Sequence, residues 1–230
     1  MSTDATSTVP ETGRGLFVVL DGVDGCGKST QAERLARVLE EEGPGGCVHV
    51  REPGTTALGE ALRALLLDGR EDLDAGTEAL LFAAARRHLL VSEIEPALAA
   101  GKDVVCERFH ASTYAYQGVA GGLGAATVLD LLGTFADRPA PDLELVLDLD
   151  PASAGERRGA DSDRIEAKGL DFQRRVAAAY REYTAEPGRT RAHSIDARGS
   201  EDEVHARVLA AVHAVRGGAR SGTASRNSED

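Results

Sequence analysis

Short apolar runs alternate along this chain with longer segments in which apolar residues recur every three or four positions. Short runs bounded by glycine or charged residues are typical of buried strands, whereas the longer periodicity predicts amphipathic helices. The predicted strands cover residues 16–20, 47–50, 103–106, 143–149 and 193–196. The predicted helices cover residues 31–42, 58–66, 77–100, 125–136, 170–183 and 200–215, and one more begins at Pro151. In the helix at residues 77–100, the spacing puts Leu80, Leu81, Ala84, Leu89 and Ile94 on the buried side.

This alternation predicts an α/β fold, a three-layer sandwich in which helices cover both faces of a five-stranded parallel sheet. With 230 residues, of which 42% are hydrophobic, the chain is long enough to bury the core of a single domain. We place that domain at residues 15–216. Residues 1–14 and 217–230 are rich in small and polar residues and lack periodicity, so we expect a disordered leader and a disordered tail.

A glycine-rich turn joins the first predicted strand to the first predicted helix. From Gly22 to Ser29 it reads Gly-Val-Asp-Gly-Cys-Gly-Lys-Ser, the spacing of a phosphate-binding loop. Its glycines allow backbone N–H groups to turn toward an anion, Lys28 can reach the outer phosphates of a nucleoside triphosphate, and the Ser29 hydroxyl can join the shell of Mg²⁺. The sequence therefore predicts a P-loop NTPase-type fold. The predicted triphosphate-binding residues are Gly22, Val23, Asp24, Gly25, Cys26, Gly27, Lys28, Ser29 and Thr30.

The net charge and the cysteines limit which binding partners and which cellular compartment fit this protein. A net charge of −12 argues against broad binding to nucleic acid or to a membrane surface, because both are polyanionic. Cys26, Cys47 and Cys106 lack metal-ligand spacing, and no apolar segment is long enough for a signal peptide or a membrane span. We therefore expect a cytoplasmic protein. Cys26, at the start of a helix, is either an acidified thiol or a small residue that fits there.

Segments with charged residues, two of them also with glycine, follow three of the predicted strands. The phosphate-binding loop follows the first strand, residues 51–54 (Arg-Glu-Pro-Gly) follow the second, and Glu107 and Arg108 follow the third. Ligands of open parallel sheets bind at the carboxyl ends of the strands. One crevice can therefore collect all three segments.

With these motifs in place, the chain resembles thymidylate kinases, P-loop enzymes that transfer a phosphoryl group from ATP to dTMP. The resemblance covers about residues 15–215 and rests on several motifs in the family's order. They are the phosphate-binding loop and residues 51–54, 82–86, 108–118 and 163–166. The resemblance implies ATP as the donor, Mg²⁺ as a cofactor, small-molecule nucleotides as partners, and a homodimer.

The resemblance also implies roles for individual residues in binding dTMP. Phe82 would stack on the base, Arg86 would donate to a pyrimidine carbonyl, and Arg108 would clamp the acceptor phosphate. Tyr116 would lie beneath the sugar and favour deoxyribose. From periodicity alone, Phe82 would be a core residue and Arg86 a solvated one, so these alternatives stay open. The full implied set is Asp24, Arg51, Phe82, Arg86, Arg108, Ser112, Thr113, Tyr116 and Gln117.

By the same resemblance, a short mobile lid covers about residues 156–166. Cys26 stands where some relatives carry a basic residue, so the positive charge that stabilises the transferring phosphoryl group would come from arginines of the lid. Arg157 is the alternative if the lid pairs with the family in a shifted register. The implied catalytic residues are Lys28, Glu107, Arg108, Arg158 and Arg164.

The chain departs from the family after the third strand, where Glu107 stands in place of the usual Asp. In the family such a carboxylate lies near Mg²⁺, here together with the Ser29 hydroxyl, or orients the acceptor, and the longer side chain of Glu107 shifts the carboxylate. Glu107 and His110 leave open a paralogous kinase for a modified pyrimidine deoxynucleoside monophosphate. A nucleotide-binding regulatory protein without kinase activity is the alternative from a different class.

Overall fold

The computed structural model describes residues 13–67, 72–158, 165 and 168–224. Nearly all of the predicted leader, much of the predicted lid and the end of the predicted tail lie outside the described residues. These parts are residues 1–12, 159–164, 166–167 and 225–230.

The described residues form a five-stranded sheet in which every strand runs parallel to its neighbours. The strands are β1 (Phe17–Gly22), β2 (Cys47–Arg51), β3 (Asp103–Glu107), β4 (Leu143–Asp148) and β5 (Ala192–Asp196), in the spatial order β2-β3-β1-β4-β5. β1 is central and fully buried, and it pairs with β3 on one side and β4 on the other. The predicted α/β fold is confirmed, and the strand order reverses at β1, where ligands of such sheets bind.

Helices cover both faces of the sheet. They are α1 (Lys28–Glu42), α2 (Ala57–Leu67), α3 (Ala75–Leu89), α4 (Glu95–Ala99), α5 (His110–Thr113), α6 (Ala125–Phe135), α7 (Pro151–Arg158), α8 (Leu170–Ala185) and α9 (Glu201–Ala224). Side chains of β1 alternate between two cores, with Val18 and Leu20 packing against α1 and α8, and Phe17 and Val19 packing against α3 and α4. Within the described ranges, no helix is both long and apolar enough to cross a membrane.

The region predicted as one helix at residues 77–100 is helical, but its buried face differs from the prediction. α3 and α4 are joined by a π-helical turn at Leu90–Ile94. Leu80 is 60% exposed and Ala84 is exposed, whereas Ala83 and Arg86 are buried. The prediction for Leu80 and Ala84 is therefore wrong, because small residues and an arginine occupy the inner face of α3.

A helical segment that the sequence analysis missed follows β3. α5 continues into a π-helical stretch, Tyr114–Ala120, that packs against α8. Its tyrosines and glycine have low helix propensity, so tertiary packing decides its conformation. At the other end of the chain, α9 continues to Ala224, beyond the end that we predicted at Val215.

Candidate active site

The loop between β1 and α1 has the backbone of an anion cradle. Gly22 has a φ of +136°, and a Cβ there would lie 2.6 Å from the carbonyl oxygen of Leu147. Gly27, with a φ of +98°, immediately precedes α1 and has no side chain to occupy the first N–H groups of that helix. The loop and the N-terminal end of α1 can therefore turn their N–H groups toward an anion.

This loop borders a cavity of about 1040 Å³, which we call the donor cavity. Residues 24–31 line it, so the predicted triphosphate-binding residues from Asp24 to Thr30 face it. The remaining lining includes His49, Arg51, Glu107, Arg108 and Arg157. Segments that follow β1, β2 and β3 therefore meet at one cavity, as the sequence predicted.

Lys28 lies inside the loop and is 7% exposed. Its Nζ donates to the carbonyl oxygens of Gly22 at 3.0 Å and Val23 at 2.8 Å. The same Nζ lies 3.5 Å from Asp24 Oδ1. The predicted lysine thus places a positive charge at the wall of the donor cavity.

Asp24 connects Lys28 with Arg108. Arg108 Nη2 donates to Asp24 Oδ1, and the Tyr116 hydroxyl donates to Asp24 Oδ2 at 2.9 Å. Burial raises the pKa of Asp24, but the charges of Arg108 and Lys28 outweigh it and hold that pKa far below its usual range. Arg108 has a φ of 66°, an uncommon backbone conformation for a residue with a Cβ, which is typical of functional sites.

A second cavity of about 130 Å³ adjoins the donor cavity, and we call it the acceptor cavity. Asp24 and Arg108 line both cavities. All of the predicted dTMP-binding residues except Arg51 line the acceptor cavity, namely Asp24, Phe82, Arg86, Arg108, Ser112, Thr113, Tyr116 and Gln117. The structure therefore gathers residues far apart in the sequence around one small pocket.

Arg51 does not line the acceptor cavity. It lines the donor cavity, is 51% exposed, and pairs with Glu60 at 3.0 Å. The chain turns at residues 52–54 so that Glu52 and Pro53 face the acceptor cavity in its place. A direct contact of Arg51 with dTMP stays a prediction.

Arg86 is a buried arginine rather than a solvated one. Its Nε donates to Glu52 Oε2 at 2.6 Å, and its Nη2 donates to the carbonyl oxygen of Phe109 at 3.0 Å and to Thr113 Oγ1 at 3.2 Å. Among the described residues, Arg86 Nη1 and Glu52 Oε1 are buried polar atoms without a partner. Burial raises the pKa of Glu52 to about 7, although Arg86 opposes that rise. Arg86 thus keeps the two N–H groups of Nη1 for a ligand.

The Ser112 hydroxyl is hydrogen-bonded to protein groups, and Arg108 is one of them. It donates to Asp21 Oδ1 at 2.5 Å and lies 2.8 Å from the Tyr180 hydroxyl. Arg108 Nη1 donates to Ser112 Oγ at 3.1 Å. This geometry differs from the expected contact of Ser112 with a base edge, because its hydroxyl is directed to Asp21 and Arg108.

Phe82 and Gln117 also reach the acceptor cavity. Phe82 is half-buried and lines the cavity. The side-chain amide of Gln117 donates to Glu78 Oε2 at 2.9 Å, and Lys168 pairs with Glu78 Oε1 at 3.3 Å. Gln117 therefore shapes the wall while its amide nitrogen is bonded to protein.

The predicted magnesium ligands lie together at the wall of the donor cavity. Ser29 Oγ donates to Glu107 Oε2 at 2.5 Å, and His49 Nε2 lies 2.9 Å from Glu107 Oε1. Burial raises the pKa of Glu107, but hydrogen bonds from His49 and Ser29 outweigh it and lower that pKa below its usual value. The described residues contain no cluster of three or more His, Cys, Asp or Glu side chains fit to hold a metal. Ser29 and Glu107 thus fit an ion whose other ligands are phosphate oxygens and water.

Part of the predicted lid is described. Arg157 lines the donor cavity and donates from Nη1 to the carbonyl oxygen of Ala197 at 3.2 Å. Ile165 is 6% exposed and lines the acceptor cavity. The side chain of Arg158 and all of Arg164 lie outside the described part of the chain. Their roles stay predictions, and the alternative Arg157 is the lid arginine that the structure puts at the donor cavity.

Known proteins resemble this chain in sequence and in fold. The family profile named Thymidylate kinase matches residues 20–208. The chain belongs to the thymidylate kinase family. A thymidylate kinase of Synechococcus sp. (strain RCC307) is 43% identical over 212 residues, which are 89% of this chain and 97% of the relative. Another, from Rhizorhabdus wittichii, is 44% identical over 204 residues, covering 86% of this chain and 97% of the relative.

A solved thymidylate kinase also has this fold. The crystal structure of the thymidylate kinase from Ehrlichia chaffeensis matches with a TM-score of 0.70 at 32% identity. The match covers 86% of this chain and 99% of the other. The predicted resemblance to thymidylate kinases is therefore confirmed.

In this member of the thymidylate kinase family, Cys26 is a small buried residue. It is 2% exposed, and its Sγ lies close to Gly22. Burial raises the pKa of its thiol. Of the two alternatives for Cys26, the structure supports a residue that fits the loop.

The sequence analysis missed several residues that support the site. One of them is Glu52, which binds Arg86. Asp21 and Tyr180 bind Ser112, and His49 binds Glu107. Only Glu52 had a local signal, since it lies in the Arg-Glu-Pro-Gly motif at residues 51–54.

Proposed function

We propose that this protein is a thymidylate kinase that transfers the γ-phosphoryl group of ATP to dTMP, giving ADP and dTDP for dTTP biosynthesis. One observation carries the proposal above all. A phosphate-binding loop and a small acceptor cavity meet at Asp24, which contacts Lys28 of the loop and Arg108 of the cavity. A protein that only binds a triphosphate has no need of the second cavity.

The donor side neutralises and orients the triphosphate. The N–H groups of the loop would receive phosphate oxygens, and Lys28 would face the outer phosphates. Ser29 and Glu107 would hold Mg²⁺, which would neutralise charge on the triphosphate when bound. The contact between Ser29 and Glu107 supports this assignment, because the hydroxyl can donate to the carboxylate and keep a lone pair for the ion.

The acceptor side selects a pyrimidine. Phe82 would stack on the base, and Nη1 of Arg86, which has no partner among the described residues, would donate to a base carbonyl. Arg108, next to Asp24, would clamp the acceptor phosphate in a bidentate manner. Tyr116, whose hydroxyl binds Asp24, would lie beside the sugar.

Transfer then needs positioning and charge compensation rather than a covalent enzyme intermediate. An acceptor phosphate oxygen attacks the γ-phosphorus in line, and the β–γ bridging oxygen leaves with ADP. Arg157, Arg158 and Arg164 would supply the positive charge that the loop lacks at Cys26. Arg157 is supported by its place at the donor cavity.

A coupled assay across nucleoside monophosphates tests this proposal. With ATP and Mg²⁺, we expect kcat/KM to be highest for dTMP and to fall at least ~10²-fold for dCMP, because the amino group of cytosine presents a donor to Arg86. Turnover of a modified pyrimidine monophosphate in preference to dTMP would favour the paralogous kinase instead.

Calorimetry distinguishes a kinase from the alternative, a nucleotide-binding regulatory protein without kinase activity. Binding of a non-hydrolysable ATP analogue together with binding of dTMP supports a kinase. Tight binding of the triphosphate without any binding of monophosphates would contradict the proposal and favour a nucleotide-binding regulatory protein.

We also propose that the enzyme is a cytoplasmic homodimer. Its free thiols, Cys26, Cys47 and Cys106, suit a reducing compartment. Large apolar side chains that are exposed on neighbouring helices support a second copy as the partner, namely Leu58, Leu65, Leu80, Val91 and Phe135.

A further inference from the structure

Glu107 is held at both oxygens of its carboxylate. Oε2 accepts from Ser29 Oγ at 2.5 Å, and Oε1 lies 2.9 Å from His49 Nε2. The Glu107 side chain is 12% exposed and that of His49 is 28% exposed, so both remain within reach of the donor cavity. Two hydrogen bonds from different elements fix the plane of this carboxylate.

His49 reaches Glu107 because of the register between β2 and β3. His49 pairs with Val105, and Arg51 pairs with Glu107, so Glu107 is the diagonal neighbour of His49 on the same side of the sheet. The carboxylate and the imidazole meet across this diagonal, at 2.9 Å between Glu107 Oε1 and His49 Nε2. An aspartate would be shorter by one carbon–carbon bond, about 1.5 Å, and would end before the imidazole.

We propose that His49 is a positioning residue that fixes the Glu107 carboxylate toward Ser29 and the metal-triphosphate site. The inference rests on the proposed function, because it concerns the ion that Ser29 and Glu107 would hold. Glutamate has one more rotatable bond than aspartate, so a lone carboxylate at this position would sample several orientations. A hydrogen bond from His49 to Oε1 leaves Oε2 directed at Ser29.

In metal sites, residues that do not contact the ion often hydrogen-bond a residue that does, and His49 has this relation to Glu107. Residues that hydrogen-bond a ligand fix its orientation, and their loss typically weakens metal affinity about 10- to 100-fold. Here His49 donates to the carboxylate, and Ser29 donates from the opposite side. His49 therefore compensates for the longer side chain of Glu107 and needs no contact with the ion.

The test measures Mn²⁺ affinity in the full-length protein with a non-hydrolysable ATP analogue, using the EPR signal of free Mn²⁺. We expect His49→Ala to weaken Mn²⁺ binding about tenfold. His49→Gln, whose amide can replace the Nε2 donor, should stay within about threefold of the wild type. Affinity for the nucleotide without metal should not change in either variant.

Two controls test whether His49 acts through its contact with Glu107. His213 makes a similar surface contact with Glu42, 3.2 Å between Nε2 and Oε2, so His213→Ala should leave Mn²⁺ affinity unchanged. In a Glu107→Asp variant, the shorter carboxylate cannot accept the hydrogen bond from His49. His49→Ala should then have no further effect on Mn²⁺ affinity.

If the wild type binds Mn²⁺ and His49→Ala binds it equally well, the positioning role of His49 is overturned. The proposed function is not affected by that result. An equal loss on adding His49→Ala to the wild type and to the Glu107→Asp variant would overturn the positioning role too, since His49 would then act without this carboxylate. A wild-type protein that binds no Mn²⁺ with the nucleotide would instead refute the metal-dependent function on which the inference rests.

Discussion

The contact between Glu52 and Arg86 shows how single residues define the acceptor cavity. Their side chains are 3% and 1% exposed, and each keeps one polar atom without a partner among the described residues. A buried ion pair gains little net stability, because desolvation offsets the attraction. The pair orients Arg86 so that the N–H groups of its Nη1 face the ligand in the acceptor cavity.

The raised pKa of Glu52 makes stability depend on pH. The pKa rises from 4.5 to about 7, so between these values the folded protein keeps a proton that the unfolded chain releases. The free energy of unfolding therefore falls as pH rises from about 4.5 to about 7, and the whole loss is present above pH 7. Glu52→Gln removes this titration.

We expect urea unfolding to show the wild type losing ~1–3 kcal/mol relative to Glu52→Gln between pH 5 and pH 7.5. Glu144, whose pKa burial also raises to about 7, titrates in both proteins and cancels in the difference. A difference that is constant with pH, or one that grows in favour of the wild type, would contradict the assignment.

At the scale of elements, α5 and α8 are joined by a buried polar network beneath Arg108. Asp21 is fully buried and accepts from Ser112 Oγ at 2.5 Å, from the backbone N–H of Phe109 at 3.1 Å, and from the Tyr180 hydroxyl at 3.3 Å. The network ties the end of β1 to both helices. It therefore holds the segment that carries Arg108.

Removing the two hydroxyl donors should destabilise the protein unequally. Tyr180→Phe removes the longer bond to Asp21 and should cost about 1 kcal/mol. Ser112→Ala removes the shorter bond and leaves the buried carboxylate with a weaker set of donors, so it should cost about 2–3 kcal/mol. Urea denaturation at neutral pH measures both values, and the reverse order of the two would contradict this account.

The elements also show where prediction from sequence succeeds. The strands and the phosphate-binding loop were predictable because their signals are local, in apolar runs and in the glycine spacing from Gly22 to Gly27. The π-helical stretch Tyr114–Ala120 was not, because contacts with α8 determine it. Asp21 and Tyr180 meet Ser112 across gaps of 91 and 68 positions, which no local pattern reports.

At the scale of the whole molecule, exposed apolar side chains lie where we propose that a second copy binds. Leu80 and Phe135 are each 60% exposed, and they lie on α3 and α6, which pack together. α2, with Leu58 and Leu65, packs on α3 as well. Apolar side chains grouped on adjoining helices commonly mark protein interfaces.

We expect light scattering coupled to gel filtration to find a dimer for the wild type and a monomer for Leu80→Glu, because the new charge would be buried at the interface. Leu170→Glu is the matched control. Leu170 is 43% exposed but lies on α8, so this variant should remain a dimer. A monomeric wild type, or a dimeric Leu80→Glu, would exclude this surface as the interface.

Asp24 is shared by the groups that would receive the donor and the acceptor. An acceptor phosphate bound to Arg108, as we propose, would draw the guanidinium from Asp24, and Asp24 would then interact more strongly with Lys28 at the wall of the donor cavity. The two ligands would then be thermodynamically linked through one carboxylate. By reciprocity, the factor by which dTMP changes the affinity for the triphosphate must equal the factor by which the triphosphate changes the affinity for dTMP.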